Sequence, residues 1–419
     1  MGQVITVGEH LERVLARTGQ LGIETVDLNA ARESCLAEPV LAATAVPPWT
    51  NSAMDGYAVR FDDVSGASED SPVNLRVVAD IPAGSAAEPE LGPMEAVRIM
   101  TGAPVPASAD TVVPQELTDG GKEEVKIASS RERGQHIRVA GQDRAVGELV
   151  ADAGTKLTPE VLAAIASAGV RGVTVFLRPR VTVISTGDEL VDPGSPLERG
   201  QIHDSNGLLV SFLGEDAGAR VTTDRAGDGP GELAEALERA RTDSDMIVIT
   251  GGVSVGAFDP VKSLFEGGDM VRFDRVAMQP GKPQAFGSLG NDGPLLFGLP
   301  GNPVSAWVSF QMFVRPALRK LQGFSSLTPE WVWSVATEDW KTPKGRTQII
   351  PVRIVDGWSR EVRPAASGGS GSHLIASLAQ ADGYARVPAE TEEIRAGDEV
   401  QSVRLRDPEQ FNHQQRSSS

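Results

Sequence analysis

The chain has 419 residues, more than one domain usually holds, so we expect two to four domains. Its apolar content of 40% and charged content of 23% are typical of a globular protein. The formal net charge of -18 argues against general binding to nucleic acid or to an acidic membrane surface. An anionic ligand would therefore need a local cluster of Lys and Arg. The single cysteine, Cys35, excludes an intramolecular disulfide and fits a reducing cytoplasm, and no apolar run of 18 residues predicts a membrane span.

The first third of the chain predicts a helical domain interrupted by a small β domain. Apolar residues at helical spacing predict a helix from Val7 to Thr18, and a second helix is predicted from Ala30 to Leu36. Residues 59–150 contain short β-like runs separated by Gly, Pro and Asp, which indicate an inserted β domain. Thr158, followed by proline, is typical of a helix start, and this helix would return the chain to the first domain. Residues 172–179 are then predicted to be a short linker.

Strands and helices alternate from Arg180 to about Gly323, which predicts a three-layer αβα domain with a mostly parallel sheet. The predicted elements are strand 181–184, a helix through Leu213, strand 220–223, helix 230–241, strands 246–249 and 295–299, and a long helix bent or broken near Pro316. Residues 331–403 alternate β-like runs with glycine turns and predict a C-terminal β barrel or sandwich. The predicted domains are 1–46 with 145–178, 47–144, 179–325 and 326–407, followed by a disordered tail over 408–419.

The chain is organised around residues 245–262, where a short apolar strand ends at Thr250-Gly251-Gly252. Glycines allow the backbone to turn sharply or to lie against a ligand. A hydroxyl and a carboxylate follow, at Ser254 and Asp259. Ligands of open α/β sheets bind at the carboxyl ends of the strands. A tight βα turn with an N-cap would give the same glycine pair, but the polar residues after it favour a binding site.

Four predicted strand-end loops carry carboxylates or amide-rich turns, namely Glu189, Asp228, Asp259 and the Asn302/Ser305 turn. One acidic residue in such a loop is more often a helix N-cap, but four loops at one edge favour a site. Oxygen ligands suit Mg²⁺ held jointly with phosphate, and the five scattered His do not suggest zinc. Lys282, between glycine and proline, is placed to meet an oxyanion, although a solvated surface lysine fits equally well. No phosphate loop or dinucleotide fingerprint is present, which disfavours an ordinary ATPase or dehydrogenase.

With these motifs in this order, the chain resembles the bacterial molybdopterin molybdenumtransferases, the MoeA family, which is related to the E domain of gephyrin. The resemblance covers nearly the whole chain. It is carried by residues 51–59 (NSAMDGYAV), 99–104 (IMTGAP), 185–190 (STGDEL), 250–256 (TGGVSVG) with Asp259 and Lys262, 300–305 (PGNPVS) and 371–373 (GSH). It implies four domains, an elongated homodimer and the final step of molybdenum cofactor synthesis. In that step molybdate is inserted into the dithiolene of adenylylated molybdopterin, with Mg²⁺-dependent release of AMP.

The resemblance also implies roles for individual residues. The implied catalytic residues are Asp55, Thr101, Glu189, Asp228 and Asp259, of which Glu189, Asp228 and Asp259 would handle the metal, the nucleotide or the pterin phosphate. Lys282, Ser305, Arg353 and Ser372 would surround molybdate. The other implied substrate-binding residues are Arg138, Asp143, Gly251, Gly252, Ser254, Lys262, Gln279 and Asn302. Four of the implied residues would come from the inserted domain, namely Asp55, Thr101, Arg138 and Asp143. In the family this domain reaches the cleft of the other subunit.

Gln279 departs from the family pattern, because many members have lysine there, in Lys-Pro-Gly-Lys-Pro. This difference removes one positive charge from the implied molybdate site, so it bears on affinity and on selectivity between oxyanions.

Two other functions remain open. The chain could be the adenylyltransferase that loads AMP onto molybdopterin, but the extra domains and the Val253-Ser254-Val255 run disfavour this. It could also be a gephyrin-like scaffold without activity, but it shows neither an added partner domain nor a long linker. The expected partners of the enzyme are the molybdopterin adenylyltransferase and the molybdenum enzymes or their chaperones, with no nucleic acid and no membrane.

Overall fold

The computed structural model describes residues 4–130, 132–229, 231–251, 260–265, 268, 270–355, 359–366 and 371–405. Gly252, Ser254 and Asp259, together with the tail predicted over 408–419, lie outside these residues. The chain divides into two compact units. One is drawn from Met1–Glu24, Glu33–Cys35 and Val175–Ser419, and the other from Thr25–Arg32 and Leu36–Thr174. The finer division into four domains stays a prediction.

The secondary-structure elements are named in chain order. The strands are β1 (Val4–Ile5), β2 (Ile23–Asp27), β3 (Val40–Leu41), β4 (Asn51–Ser52), β5 (Gly56–Val59), β6 (Val73–Ile81), β7 (Glu95–Ile99), β8 (Thr111–Pro114), β9 (Glu124–Ile127), β10 (Ile137–Arg138), β11 (Leu149–Ala151), β12 (Gly172–Phe176), β13 (Arg180–Thr186), β14 (Leu190–Val191), β15 (Ile202–His203), β16 (Arg220–Ala226), β17 (Met246–Thr250), β18 (Val271–Val276), β19 (Met278–Gln279), β20 (Pro283–Ser288), β21 (Leu295–Leu299), β22 (Val332–Ala336), β23 (Trp340–Lys341), β24 (Thr347–Ile354), β25 (Glu361–Pro364), β26 (Gly383–Val387), β27 (Glu393–Ile394) and β28 (Glu399–Arg404). The α-helices are α1 (Val7–Arg17), α2 (Phe61–Val64), α3 (Pro159–Ser167), α4 (Asn206–Asp216), α5 (Glu232–Arg241), α6 (Pro260–Phe265), α7 (Pro303–Ser309), α8 (Arg315–Leu321) and α9 (Ile375–Leu378). Across the ranges given above, no helix combines the length and the apolar character needed to cross a membrane.

The first unit is built on a seven-stranded sheet with the order β1-β18-β20-β21-β17-β13-β16. Strands β21, β17, β13 and β16 are parallel to one another. Strand β20 runs antiparallel to both of its neighbours, whereas β1 and β18 are parallel to each other. The sheet is therefore mostly parallel, as the sequence predicts, with one reversed strand.

Alternate residues of β17 face two different cores. Met246 and Val248 lie in a cluster that also contains residues of α1, α4, α7 and α8. Ile247 and Ile249 lie in a second cluster with residues of α5 and α6. Because both faces of the strand are covered, its sequence is an uninterrupted apolar run instead of an alternating one. The predicted αβα layers are confirmed.

Two helices of this unit show how local sequence sets their ends. The first turn of α1 is closed by a capping box, in which Glu9 N donates to Thr6 Oγ1 at 3.2 Å and Thr6 N donates to Glu9 Oε2 at 2.7 Å. The long helix predicted near Pro316 is present but interrupted, because residues 310–314 form a π-helical turn between α7 and α8. Pro316 has no N–H and cannot continue the regular hydrogen-bond ladder.

The C-terminal strands of the first unit form a closed barrel. Its order is β24-β25-β22-β28-β26, and a further pairing between β24 and β26 closes it around an apolar interior. Strand β19 adds to β24 in parallel and places Gln279 beside Gln348. Of the two forms predicted for this region, the structure has the barrel.

The second unit contains a five-stranded sheet with the order β8-β5-β7-β6-β9. Tyr57 and Val59 pack on one side of β5, and Ala58 packs on the other. Outside this sheet, β4 pairs with β10 and β3 with β11. Helix α3 begins after Thr158, whose Oγ1 accepts from Val161 N at 3.4 Å, which confirms the predicted helix start.

Two local predictions are wrong. Residues 30–36 do not form a helix, because their backbone groups bond to other segments: Leu36 N donates to Thr155 O at 3.0 Å, and Phe176 N donates to Cys35 O at 3.1 Å. A 3₁₀ turn at residues 28–30 is all that is helical there. Residues 172–176 form strand β12 and not a linker, with every second side chain buried.

Candidate functional site

The carboxyl ends of neighbouring strands meet at one edge of the sheet in the first unit. Gly251 N donates to Leu299 O at 3.2 Å, which joins the ends of β17 and β21. Thr186 Oγ1 donates to Thr250 O at 3.3 Å, and this contact adds the end of β13. The structure thus brings together the strand-end loops that the sequence singled out.

Two glycines, Gly251 and Gly301, lie close together at this edge. Gly251 has a φ of +93°, and a Cβ there would lie 2.8 Å from Thr186 O and 2.9 Å from Thr186 Oγ1, so any side chain would displace the neighbouring strand end. A Cβ at Gly301 would lie 3.7 Å from Gly251 Cα. Gly251 is half-buried and Gly301 is exposed. At these two positions the edge presents main-chain groups and no side chain.

Asp188 and Asp228 bridge two strand-end loops with reciprocal hydrogen bonds. Asp228 N donates to Asp188 Oδ1 at 3.0 Å, and Asp188 N donates to Asp228 Oδ2 at 3.5 Å. Both carboxylates are exposed. The side chain of Glu189, the residue predicted from sequence, turns back towards its own loop. Its Oε2 would lie only 2.3 Å from a Cβ placed on Gly187. Sequence reasoning missed Asp188, although it stands next to Glu189 at the same strand end.

This pair of carboxylates has the chemistry of a hard-cation site but does not form a complete one. In the part of the chain that the structure describes, no group of three His, Cys, Asp or Glu side chains is arranged to hold a metal ion. Asp259, the third predicted ligand, lies outside that part. Two carboxylates suit Mg²⁺, which binds few protein oxygens and takes the rest of its shell from water and substrate phosphates.

The loop after β21 is tied to two other segments. Asn302 Nδ2 donates to Ser372 Oγ at 3.1 Å, and Val304 N donates to Ser372 O at 3.1 Å. Asn206 Nδ2, at the start of α4, donates to Gly301 O at 2.7 Å. Ser305 is buried in the first turn of α7. Of the residues predicted here, Asn302 and Ser372 are in direct contact, while Asn206 was not singled out from sequence.

A buried polar network positions the loop that carries Lys282. Gln284 Nε2 donates to Gly281 O at 2.6 Å and to Ser309 Oγ at 2.7 Å, and both side chains are buried. Val276 N donates to Lys282 O at 2.8 Å. The backbone is therefore held on both sides of Lys282, whose half-buried side chain forms no hydrogen bond or ion pair with a described residue. Gln284 and Ser309 were not predicted, because their partners are apparent only in the fold.

The other predicted cations are more scattered. Arg353, near the end of β24, donates through Nη1 to Gln380 Oε1 at 3.3 Å and has no ion pair among the described residues. Lys262 is exposed on α6. Within the described ranges, neither Lys282 nor Arg353 hydrogen-bonds to Ser305 or Ser372. The structure therefore brings together only part of the predicted oxyanion set.

Four predicted residues lie in the second unit. Asp55 Oδ1 accepts from Thr101 N and from Thr101 Oγ1, both at 2.7 Å, and these bonds hold the pKa of Asp55 below its usual range. Arg138 is paired in register with Asn51, which lies four residues before Asp55. Asp143 N donates to Val46 O at 2.9 Å. The structure thus joins Asp55 to Thr101, whereas Arg138 is the last residue of β10 and Asp143 lies on the segment that follows it.

Three family models match successive parts of the chain. They are the MoeA N-terminal region (domain I and II) over residues 5–169, the probable molybdopterin binding domain over 182–320 and the MoeA C-terminal region (domain IV) over 334–405. The chain is also 43% identical over 384 residues to molybdopterin molybdenumtransferase 2 of Mycobacterium tuberculosis, covering 90% of this chain and 94% of that relative. The chain belongs to the MoeA family.

Further comparisons support membership of the MoeA family over the full length. Molybdopterin molybdenumtransferase of Bacillus subtilis is 35% identical over 412 residues, or 96% of this chain and 94% of that protein. A solved MoeA structure from Pyrococcus horikoshii OT3 matches with a TM-score of 0.82 at 28% identity, covering 96% of this chain and 100% of that one. The resemblance found in the sequence is confirmed, and this MoeA-family chain is an enzyme of the molybdopterin molybdenumtransferase class.

Proposed function

We propose that this enzyme inserts molybdate into adenylylated molybdopterin with Mg²⁺-dependent release of AMP, giving the molybdenum cofactor. The observation that carries the proposal is the match of the N-terminal, molybdopterin-binding and C-terminal regions in one chain, alongside relatives named molybdopterin molybdenumtransferase. The glycine-lined sheet edge supports it, because an open α/β sheet binds its ligands there.

Both substrates are anions, which a chain with a net charge of -18 would repel unless local cations offset its field. Lys282 and Arg353 support such an offset, since neither is neutralised by a carboxylate among the described residues. We assign molybdate to these two cations together with Ser305 and Ser372. Gln279 supplies an amide donor where many relatives would supply a second ammonium.

We assign Mg²⁺ to the Asp188 and Asp228 pair, joined by Glu189 and Asp259 as the family resemblance implies. The support is chemical, because both observed carboxylates are exposed oxygen donors at the strand ends. When bound, the cation would offset the charge of the phosphates and polarise their oxygens. Gly251, Gly252, Ser254, Lys262 and Asn302 would hold the substrate around it.

We further propose that the enzyme is a homodimer in which Asp55, Thr101, Arg138 and Asp143 complete the site of the other subunit. Asp55 is supported as an ionised group by its two bonds from Thr101. The reaction requires a molybdopterin adenylyltransferase to supply the substrate and molybdenum enzymes or their chaperones to accept the product. Such a pathway fits a cytoplasmic location.

The test is to incubate the purified chain with adenylylated molybdopterin, molybdate and Mg²⁺ and to measure AMP by chromatography. We expect AMP release that depends on both molybdate and Mg²⁺. A chain that instead forms adenylylated molybdopterin from ATP and molybdopterin would be the adenylyltransferase. Either that result or the absence of AMP release contradicts the proposal, and the absence of both activities would favour the scaffold alternative.

A further inference from the structure

The guanidinium of Arg353 is oriented by a neutral acceptor. Arg353 Nη1 donates to Gln380 Oε1 at 3.3 Å. Arg353 is half-buried near the end of β24, and Gln380 is an exposed residue two positions after helix α9. An amide oxygen fixes the direction of a guanidinium without cancelling its charge, whereas a carboxylate at the same position would form an ion pair with it. Gln380 therefore holds Arg353 and leaves it positively charged.

Buried Asp382 fixes the backbone on both sides of Arg353. Ile354 N donates to Asp382 Oδ2 at 2.9 Å, and Asp382 N donates to Val352 O at 2.8 Å. Asp382 is only 6% exposed, so these bonds are shielded from water. Because Gln380 stands two residues before Asp382, they hold the two segments in the register that brings Gln380 to Arg353. The contact is therefore part of a fixed arrangement and not an isolated surface hydrogen bond.

The segment that carries Gln380 also carries Ser372. Ser372 Oγ accepts from Asn302 Nδ2 at 3.1 Å, in the loop after β21. Helix α9 lies between Ser372 and Gln380 and contacts α7, the helix that contains Ser305. One short segment thus connects Arg353 to both serines that we assign to molybdate.

We propose that Gln380 is a positioning residue for molybdate, which orients Arg353 and sets the charge that Arg353 offers to the oxyanion. Molybdate is a dianion, and its attraction to a guanidinium weakens when a carboxylate already shares that guanidinium. A neutral glutamine at position 380 avoids this competition. The inference rests on the proposed function, which assigns molybdate to Arg353.

Two substitutions separate the charge of this side chain from its hydrogen bond. Gln380→Glu keeps an acceptor and adds a negative charge, so it should raise the molybdate concentration for half-maximal AMP release about threefold to fivefold. Gln380→Met keeps the length and removes the acceptor, so it should raise that concentration only about twofold. The maximal rate and the Kd of molybdopterin should stay unchanged in both variants, because only the encounter with molybdate is affected.

The order of the two effects distinguishes positioning from a structural role. If Gln380 only supported the fold, Gln380→Glu, which preserves the bond, would behave like the parent, and Gln380→Met would have the larger effect. That order, or an unchanged molybdate requirement in either variant, overturns the inference. Gln380→Glu added to Arg353→Ala should cause no further rise, because the charge acts through Arg353. A further rise of the same size overturns the inference as well.

The barrel offers a matched control. Gln401 Oε1 accepts from Arg386 Nη2, and neither residue is assigned to the site. Gln401→Glu adds the same charge beside an arginine and should leave the molybdate requirement unchanged, whereas an equal rise would mean a general effect of net charge and would overturn the inference. Thermal unfolding checks that each variant is folded. If Gln380→Met is misfolded, Gln380→Glu on the parent and on Arg353→Ala decides the question.

Calorimetric titration with molybdate alone separates this inference from the proposed function. A parent enzyme that binds molybdate but releases no AMP from adenylylated molybdopterin contradicts the reaction, and the molybdate Kd values of the two Gln380 variants still decide the role of Gln380. A parent enzyme that neither binds molybdate nor releases AMP overturns both.

Discussion

Asp228 N donates to Asp188 Oδ1 at 3.0 Å while Asp188 N donates back to Asp228 Oδ2 at 3.5 Å, so each residue fixes the backbone of the other. This arrangement leaves both exposed carboxylates at the ends of β13 and β16. Each also keeps an oxygen that the reciprocal bonds do not use. The pair can therefore hold its loops and offer oxygens to a cation at the same time.

Asp228→Asn should separate these two roles. The amide oxygen still accepts from Asp188 N, so folding should survive, but the charge offered to Mg²⁺ is lost. Losing one transition-state contact to a charged group costs ~3 kcal/mol, so AMP release should fall on the order of a hundredfold. The measurement is the AMP release rate against Mg²⁺ concentration, with Asp292→Asn in the exposed loop before β21 as the control. An unchanged Mg²⁺ dependence would exclude Asp228 from the metal site.

Lys282 should be the main cation for molybdate, because Gln279 stands where the family resemblance implies a second lysine in many members. Lys282→Ala should raise the molybdate concentration for half-maximal AMP release strongly while leaving pterin binding largely intact. Gln279→Lys should lower it severalfold, since one added ion contact in a partly shielded site is worth roughly 1 kcal/mol. Lys344→Ala, at a surface ion pair with Glu392, is the control for a lost lysine. If Lys282→Ala does not shift the molybdate dependence, the assignment of this loop is wrong.

Gln284→Leu should affect both stability and molybdate use. The change leaves Gly281 O and Ser309 Oγ without their donor in a buried site, which costs roughly 1–3 kcal/mol of unfolding free energy. It should also raise the molybdate requirement, because Lys282 follows Gly281 directly. Urea unfolding and the AMP assay measure the two effects. Ser309→Ala, which removes one acceptor and keeps the bond to Gly281 O, should be milder in both. Equal effects of the two changes would mean that Gln284 does not position the loop.

Asp274 should make stability depend on pH in the acid range. His10 Nδ1 lies 3.1 Å from Asp274 Oδ2 and Arg13 Nη1 lies 3.1 Å from Oδ1; the hydrogen bond from His10, then Arg13, lowers the pKa of Asp274 in the fold. A lowered carboxyl pKa contributes stability that is complete above the unfolded-state pKa of about 3.9 and is lost as pH falls through the folded-state value. The difference in unfolding free energy between the parent and Asp274→Asn should therefore be constant near neutrality and shrink below about pH 4. The same difference at low pH and at neutral pH would contradict this.

A mixture of Asp55→Ala and Asp228→Asn chains should recover activity if subunits share their sites. Each heterodimer would contain one intact site, so random mixing should restore roughly a quarter of the parental AMP release. Each variant alone should remain impaired. Sedimentation at micromolar concentration gives the oligomeric state. A strictly monomeric parent with full activity would rule out a shared site.

The sequence alone determined those secondary-structure elements that depend only on neighbouring residues in the chain. The apolar run at Met246–Ile249 predicts a strand covered on both faces, and Thr158 before proline predicts the start of α3. The glycine turn at Gly251 and the Pro-Gly-Asn-Pro turn before α7 are also predicted locally, because glycine allows backbone conformations that other residues avoid and proline fixes φ.

Only the tertiary structure decided which side chains at that edge work together. Asp188 and not its neighbour Glu189 bonds to Asp228, because the direction of a side chain at a strand end depends on the loop packed beside it. Asn206 meets Gly301 from 95 residues away, and Gln284 meets Ser309 from 25. These pairs follow from the order of strands in the sheet, which the local pattern of apolar and polar residues does not encode. Residues 30–36 are a further example. Their sequence has a helical pattern, but their backbone groups form hydrogen bonds with segments that are distant in the chain.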